Sequence, residues 1–183
     1  AMFRRAQGAG GRAQYVANGR DVAAARVLGV PPADLPSGDL PQLADFSTCA
    51  VVGSADSLLE DAMGGEIDAH SAVIRFNAAP TVGYEAHVGS RTSVRLQNSY
   101  FSGFAERASE LCLVRMGSLA GKAAVGGGAA CRRVVMSPLM EAYRRALWAD
   151  RAARPKWSSG SEIQLPWGER CLSGARVGLL GRS

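Results

Sequence analysis

The stretch that decides the fold covers residues 49–98 and reads CAVVGSADSLLEDAMGGEIDAHSAVIRFNAAPTVGYEAHVGSRTSVRLQN. Short apolar runs bounded by glycine or polar residues are typical of buried strands. Residues 50–52 form such a run, and residues 72–76 and 92–96 are predicted as the next two strands. A segment with helical character, residues 58–63, follows the first run. Strands that alternate with helical segments predict an α/β fold, in which helices flank a mainly parallel, Rossmann-like sheet.

The turn after the first predicted strand contains small polar residues of the kind that begin helices. Ser54 or Asp56 is suited to cap the helix predicted for residues 58–63, and Gly64 and Gly65 are predicted to end it. A strand–turn–helix arrangement of this kind directs free backbone N–H groups at a bound phosphate. An ordinary capped turn without a ligand explains the same residues, and the dinucleotide-binding pattern G-x-G-x-x-G is absent.

Uncharged polar residues follow all three predicted strands. Ser54, Asn77 and Asn98 stand at or just beyond the C-terminal ends of these strands. Ligands of parallel α/β sheets bind at that edge. Amide and hydroxyl groups there suit a sugar, a ribose or a phosphate.

Three segments of the stretch resemble one family at fixed spacing. The segments C-A-V-V-G-S-A-x-S-L, E-I-D-x-H-x-A-V-I-R-F-N-x-A-P-T and V-G-S-R-T-S-V-R-L-x-N are similar to the large sialyl motif of eukaryotic and viral-type sialyltransferases. Within that family, the Ser-Ala pair and the R-L-x-N-S ending look most like the β-galactoside α2,6 branch. The resemblance implies the sialyltransferase variant of the glycosyltransferase A fold.

A second, weaker resemblance lies near the end of the chain. Ser158, Ser159 and Gly160 precede Cys171 by the step that the family's small sialyl motif shows. The intervening segment SEIQLPWGERC departs from the apolar helix of the family. The resemblance implies that these three residues contact the cytidine or the sialic acid.

The same resemblance implies a disulfide between the two motifs. The family joins its large and small motifs through cysteines at the positions of Cys49 and Cys171. The other two cysteines, Cys112 and Cys131, are then either free or paired with each other. An even count of four cysteines fits an oxidising secretory compartment.

The resemblance also implies an activity. Sialyltransferases move sialic acid from CMP-sialic acid to a terminal galactose-type hydroxyl of a glycan, with inversion and without a cofactor or metal ion. Ser54 and Asn77 would contact the phosphate and ribose of the donor, and Asn98 would contact the donor from the next strand. The absence of a D-x-D pattern, which metal-dependent sugar-nucleotide transferases often use, agrees with this expectation.

The catalytic base is expected outside the sequence. In the family it is a histidine in a motif that follows the small motif, so it would lie beyond Ser183. The two histidines of the chain, His70 and His87, both lie within the large motif. We expect a structural role for His70 and a solvated loop around His87, and we predict no catalytic residue within the chain.

Composition bounds the remaining possibilities. The 183 residues are enough for one domain, which we divide into a poorly structured lead-in, residues 1–48, and a catalytic domain, residues 49–183. The net charge of +5 is scattered over arginines without an aromatic stacking platform, which argues against nucleic acid as a partner. No apolar run approaches the roughly twenty residues of a membrane span, so a Golgi type II anchor, as in the family, would lie outside this chain.

The flanking segments predict further elements, and two other functions remain open. Strands are predicted for residues 111–114 and 133–136, helices for residues 22–28, 105–110 and 139–150, and a proline-rich connector for residues 31–42.

The first functional alternative is a non-catalytic, sialyltransferase-like module that binds nucleotide sugars. The second is a generic Rossmann-like nucleotide-binding protein.

Overall fold

A computed structural model describes residues 35–114 and 131–137, together with the single residue Arg26. Within these ranges the chain forms one five-stranded sheet in the sequential order β1-β2-β3-β4-β5, and every neighbouring pair is parallel. The strands are β1 (Cys49–Val52), β2 (Ala72–Phe76), β3 (Val94–Gln97), β4 (Leu111–Val114) and β5 (Arg132–Val135). The predicted α/β fold with a parallel sheet is therefore confirmed.

The strand bounds agree closely with the pattern of apolar runs. β2 and β4 begin and end where the sequence predicts, and β1 and β5 each begin one residue earlier. β3 is shifted towards the C-terminus and includes Gln97. The side chain of Thr92, which was predicted to start this strand, instead accepts a hydrogen bond from Arg75 Nε at 3.1 Å.

In the ranges 35–114 and 131–137, three short helices accompany the sheet: α1 (Leu40–Leu43), α2 (Gly64–Asp68) and α3 (Glu85–Val88). Two 3₁₀ turns, Asp56–Leu59 and Ser99–Phe101, follow β1 and β3. None of the helices in the described ranges is long and apolar enough to cross a membrane.

The prediction of a connector is wrong at α1. Asp39 caps this helix, and its backbone N–H donates a reciprocal bond to the Gln42 side chain, so the two residues form a capping box. Leu40 is buried in the main core. The rest of the lead-in, residues 1–34 apart from Arg26, lies outside the described part of the chain.

The prediction of a glycine-terminated helix at residues 58–63 is also wrong. The chain there makes the 3₁₀ turn Asp56–Leu59, whose N-cap is Ala55, and no side chain caps it. Gly64 begins α2 instead of ending a helix, and a Cβ at this position would stand 2.0 Å from the Glu85 carbonyl oxygen. Gly64 therefore permits close contact between α2 and α3.

Two further differences concern the loops. The predicted helix at residues 105–110 is absent; the chain turns there because the Glu110 carboxylate accepts the N–H groups of Glu106 and Arg107. The loop predicted between β2 and β3 contains α3. The helices predicted for residues 22–28 and 139–150 fall outside the described residues, apart from Arg26.

The two faces of the sheet differ in chemistry. One face is apolar, and α1 packs on it through Leu40. The other face carries the β1–β2 and β2–β3 connections, as right-handed crossovers in a sequential strand order require. The core of this second face consists of Ala50, Val52, Val73 and Val88, with Leu58 and Ile67 packed against them. Two buried arginines, Arg75 and Arg95, lie on the same face and are register partners.

Candidate functional site

The candidate site lies at the C-terminal edge of β2 and β3, where Asn77 and Asn98 meet. Asn77 directly follows β2 and has a φ of 50°, a left-handed conformation that asparagine tolerates better than most residues. Its N–H donates to Leu96 O at 2.8 Å and its Oδ1 accepts the Asn98 N–H at 3.1 Å. Asn77 and Asn98 thus directly follow β2 and β3, as the sequence predicted, and the Asn77 side chain contacts the Asn98 backbone.

Asn98 has a structural role in addition to its place in the site. It is the N-cap of the Ser99–Phe101 turn, and its Oδ1 accepts the N–H groups of Tyr100 at 3.0 Å and Phe101 at 3.2 Å. The Oδ1 atoms of Asn77 and Asn98 are thus both occupied by backbone. Neither Nδ2 group has a hydrogen-bond partner within the described ranges, so each amide offers two N–H donors to a ligand.

Ser54 lies at the same edge but makes no hydrogen bond to Asn77 or Asn98. β1 pairs with β2 so that Val52 stands opposite Arg75, which places the residues after Val52 beside the end of β2. Ser54 is exposed, and among the described residues its hydroxyl has no hydrogen-bond partner. Tyr100, 66 % exposed, stands edge-on to Phe101 after β3.

A buried ionic cluster, which sequence reasoning missed, lies directly beneath Asn77. We name it the Arg95 cluster; it consists of Arg95, Glu106 and Glu110. The Arg95 side chain is fully buried, and its ion pairs with Glu110 and Glu106 measure 2.5 Å and 3.1 Å. The guanidinium also lies over the Phe104 ring, 5.3 Å from its centroid. An arginine inside an apolar parallel strand was the available signal, because such a charge must find partners.

The second buried arginine, Arg75, is held by main-chain oxygens. Its guanidinium donates to the carbonyls of Val88 at 2.6 Å, Gly89 at 3.3 Å and Arg91 at 3.0 Å. Burial, and after it the positive charge of Arg95, lower the pKa of Arg75 to about 10. Arg75 therefore stays cationic at neutral pH and fixes the segment that leads into β3.

Asp68 organises the entry to β3 from the end of α2. Its carboxylate accepts the N–H groups of Ser90 at 2.8 Å and Arg91 at 2.9 Å, and the Ser90 hydroxyl at 2.9 Å. Partial burial opposes ionisation, but these donors outweigh it and hold the pKa of Asp68 below its ordinary value. The Arg91 guanidinium in turn donates to the carbonyl of Asp68, the last residue of α2, and to the carbonyls of His70 and Ser71 after it.

The two histidines lie away from the asparagine pair. His70 precedes β2 and is therefore at the opposite edge of the sheet from Asn77; its Nδ1 is 2.9 Å from Glu66 O. His87 belongs to α3 and is half-buried, with Nδ1 at 3.1 Å from Asp61 O. The expectation of a solvated loop around His87 is wrong, since this residue joins α3 to the β1–β2 connection.

The cysteines form a disulfide that links two strands. Cys112 of β4 is bonded to Cys131, which directly precedes β5, with 6.0 Å between their Cα atoms. Cys49 is also disulfide-bonded. Its predicted partner Cys171 lies outside the described residues, as do Ser158, Ser159 and Gly160, so the pairing and these ligand contacts stay predictions.

The fold and the asparagine pair define a class: an α/β protein with a parallel sheet and polar side chains at the C-terminal edge of that sheet. The chain matches glycosyltransferase family 29 (sialyltransferase) over residues 20–112, which is half of its length. It belongs to this family of glycosyltransferases.

Individual relatives agree with the family assignment. Beta-galactoside alpha-2,6-sialyltransferase 2 of Takifugu rubripes is 56 % identical over 59 residues, 32 % of this chain and 11 % of the relative. The Danio rerio protein of the same name is 60 % identical over 54 residues, 30 % of this chain and 10 % of the relative. The human protein of that name is 56 % identical over 52 residues, 28 % and 10 % of the two chains. These matches thus span about a tenth of each relative.

Solved structures confirm the glycosyltransferase A-like fold. A crystal structure of a mammalian sialyltransferase superposes with a TM-score of 0.51 at 24 % identity, covering 81 % of this chain and 58 % of that one. A mammalian sialyltransferase in complex with Gal-beta-1-3GalNAc-ortho-nitrophenol gives a TM-score of 0.59 at 20 % identity, covering 82 % and 70 %.

Proposed function

We propose that this protein is a sialyltransferase that moves sialic acid from CMP-sialic acid to a galactose-type hydroxyl of a glycan, with inversion at the anomeric carbon. The observation that supports it most is the Asn77–Asn98 contact at the C-terminal edge of the sheet, in a chain of the sialyltransferase family. Both amides there offer N–H donors to a ligand.

The proposed chemistry follows from those donors. CMP gains negative charge on its phosphate as the bond to sialic acid breaks, and hydrogen-bond donors placed at that point lower the barrier. The Asn77 and Asn98 amides and the Ser54 hydroxyl are proposed to bind the phosphate and ribose. Ser158, Ser159 and Gly160 are proposed to bind the cytidine or sialic-acid side. Because these donors offset the phosphate charge, the proposal needs no metal ion.

The acceptor hydroxyl must also lose a proton. His70 and His87 contact backbone carbonyls away from the asparagine pair, so the proposal assigns the base role to neither. We also propose that the protein works in the Golgi lumen, an oxidising compartment in which disulfides such as Cys112–Cys131 persist.

Calorimetric titration with CMP, with excess EDTA present, tests the donor site. The wild-type protein is expected to bind CMP more tightly than AMP or UMP. Asn77→Gly keeps a backbone that is free to adopt positive φ but removes the amide, and the lost hydrogen bonds should cost about 1–3 kcal/mol of binding free energy. Ser54→Ala should also weaken binding.

Ser47→Ala is the matched control, because Ser47 precedes β1 at the opposite edge and bonds to the Ser71 hydroxyl at 2.7 Å. Its CMP affinity should equal that of the wild type. Equal affinity for CMP, AMP and UMP would favour a generic nucleotide-binding protein. Because the catalytic base is expected beyond Ser183, transfer is assayed on the native full-length protein, where CMP binding without transfer from CMP-sialic acid to a β-galactoside would favour a non-catalytic module.

A further inference from the structure

We propose that Arg95 is a positioning residue of the donor site, which fixes the backbone at Asn77 and so aims the Asn77 amide. The inference rests on the proposed function of that amide. Arg95 itself is fully buried within β3 and is unable to reach a ligand at the edge. Its hydrogen bonds reach residues 77–82, which follow β2 and which we name the 77–82 turn.

All five N–H donors of Arg95 have acceptors, and two of these acceptors belong to the turn. Nη1 donates to Asn77 O and to Ala79 O, both at 3.0 Å. Nε and Nη2 donate to the Glu110 carboxylate at 2.5 Å and 3.3 Å, and Nη2 also donates to Glu106 at 3.1 Å. A guanidinium is the only side chain with five donors in a rigid fork, so lysine cannot reproduce this pattern.

Glu106 holds the other end of the same turn. Its carboxylate accepts the Thr81 N–H at 2.7 Å and the Thr81 hydroxyl at 2.9 Å. Since Glu106 is also paired with Arg95, one ionic unit binds the turn at both ends. The segment between β2 and Thr81 is therefore tied to the sheet by the buried Arg95 and the partly buried Glu106.

The backbone of Asn77 needs such support. Left-handed φ values are unfavourable for residues with a side chain and persist where the surroundings enforce them. Here the Asn77 carbonyl is bound to Arg95, while the Asn77 Oδ1 is bound to the Asn98 N–H. If the first bond is lost, the turn is free to relax, and the amide loses its alignment with Asn98.

The decisive test compares Arg95→Lys with Arg75→Lys. Both variants change a buried arginine of the same face, but Arg75 bonds to the segment before β3 and makes no hydrogen bond to the 77–82 turn. We expect Arg95→Lys to weaken CMP binding at least tenfold in the folded protein and Arg75→Lys less than twofold. Equal weakening in both variants would show a general structural role and overturn the inference.

A double-mutant cycle shows whether Arg95 acts through Asn77. In the Asn77→Gly background, Arg95→Lys should change CMP affinity less than twofold, because the amide that it positions is gone. A full tenfold effect in that background would contradict the inference. Glu106→Gln is a milder variant of the same cluster and replaces Arg95→Lys in the cycle if the latter does not fold.

Hydrogen exchange tests the positioning without a ligand. The backbone N–H of Asn98 donates to Asn77 Oδ1. Its hydrogen should exchange at least tenfold faster in Arg95→Lys or Glu106→Gln than in Arg75→Lys. If the wild type does not bind CMP, the proposed function fails, and the exchange measurement still decides the role of Arg95. Unchanged protection of Asn98 would reject that role even if CMP binds.

Discussion

Single residues in this protein have roles that depend on contacts distant in sequence. Gly64 and Gly65 are adjacent and alike in the sequence, yet they meet different surroundings. An added Cβ at Gly64 would overlap the Glu85 backbone, whereas a Cβ at Gly65 would have nothing within 4 Å. The packing of α3 on α2 therefore distinguishes two residues that local chemistry does not.

Gly64→Ala should lower the free energy of unfolding by about 1–3 kcal/mol, because backbone must move to admit the methyl group. Gly65→Ala is the control; it should leave stability unchanged or raise it by up to about 1 kcal/mol, since alanine favours the helix. Urea unfolding followed by circular dichroism measures both. Equal stability of the two variants would contradict the close contact of α2 with α3.

At the scale of elements, the Cys112–Cys131 disulfide joins β4 to the start of β5. Cys112 is fully buried in the sheet, and the two cysteines are separated by 19 residues in sequence. β4 and β5 are parallel neighbours, so hydrogen bonds of the ladder and the disulfide hold the same pair of strands. The covalent bond acts mainly by restricting the unfolded chain.

The double variant Cys112→Ala with Cys131→Ala should lose about 3 kcal/mol of unfolding free energy, which is the chain-entropy value for a loop of this size. Chemical denaturation without reductant measures it and leaves the disulfide of Cys49 intact. A loss below about 1 kcal/mol would mean that the ladder alone fixes β5. Loss of the parallel pairing itself would appear as a lower slope of free energy against denaturant.

At the scale of the whole molecule, carboxylates hold the segments that connect the strands. The Asp68 carboxylate binds the backbone of Ser90 before β3, and the Glu106 carboxylate binds the backbone of the 77–82 turn. Partial burial opposes ionisation of Glu106, but the Thr81 and Val82 donors and the charge of Arg95 hold its pKa below the ordinary value. The folded state therefore binds protons less readily than the unfolded chain at both positions.

This difference sets the direction of pH dependence. A carboxyl group whose pKa is lower in the folded than in the unfolded state stabilises the fold at pH values above its unfolded pKa, which is about 4 for these groups. That stabilisation is lost as the pH falls through the folded-state pKa. The free energy of unfolding should thus decline below about pH 4. Asp68→Asn should reduce that decline and cost about 1–3 kcal/mol at pH 7. Thermal unfolding between pH 3 and pH 7 measures both effects.

Glu60→Gln is the control for this prediction, because Glu60 is exposed and its side chain has no hydrogen-bond partner in the described ranges. Its pH profile should follow that of the wild type. If the free energy of unfolding of Asp68→Asn falls with decreasing pH as steeply as that of Glu60→Gln, then Asp68 does not contribute to the loss of stability in acid.

The local sequence determined the strands, the class of fold and the position of the asparagines. Buried parallel strands are continuous apolar runs, so β2 and β4 could be bounded from the sequence alone. Asn77 and Asn98 directly follow β2 and β3, and parallel pairing places the ends of neighbouring strands at one edge. The large sialyl motif, on which the family resemblance rests, contains these same strand ends.

Tertiary structure decided the helices and the support of the site. Gly64 begins a helix because α3 packs against it, although glycine locally favours a helix end. Arg95 and its two glutamates lie 11 and 15 residues apart in sequence, and no periodic pattern links them. Folding brings them together because a buried guanidinium must be paired with charge and hydrogen-bond acceptors, and only the folded chain shows that those acceptors include the carbonyl of Asn77.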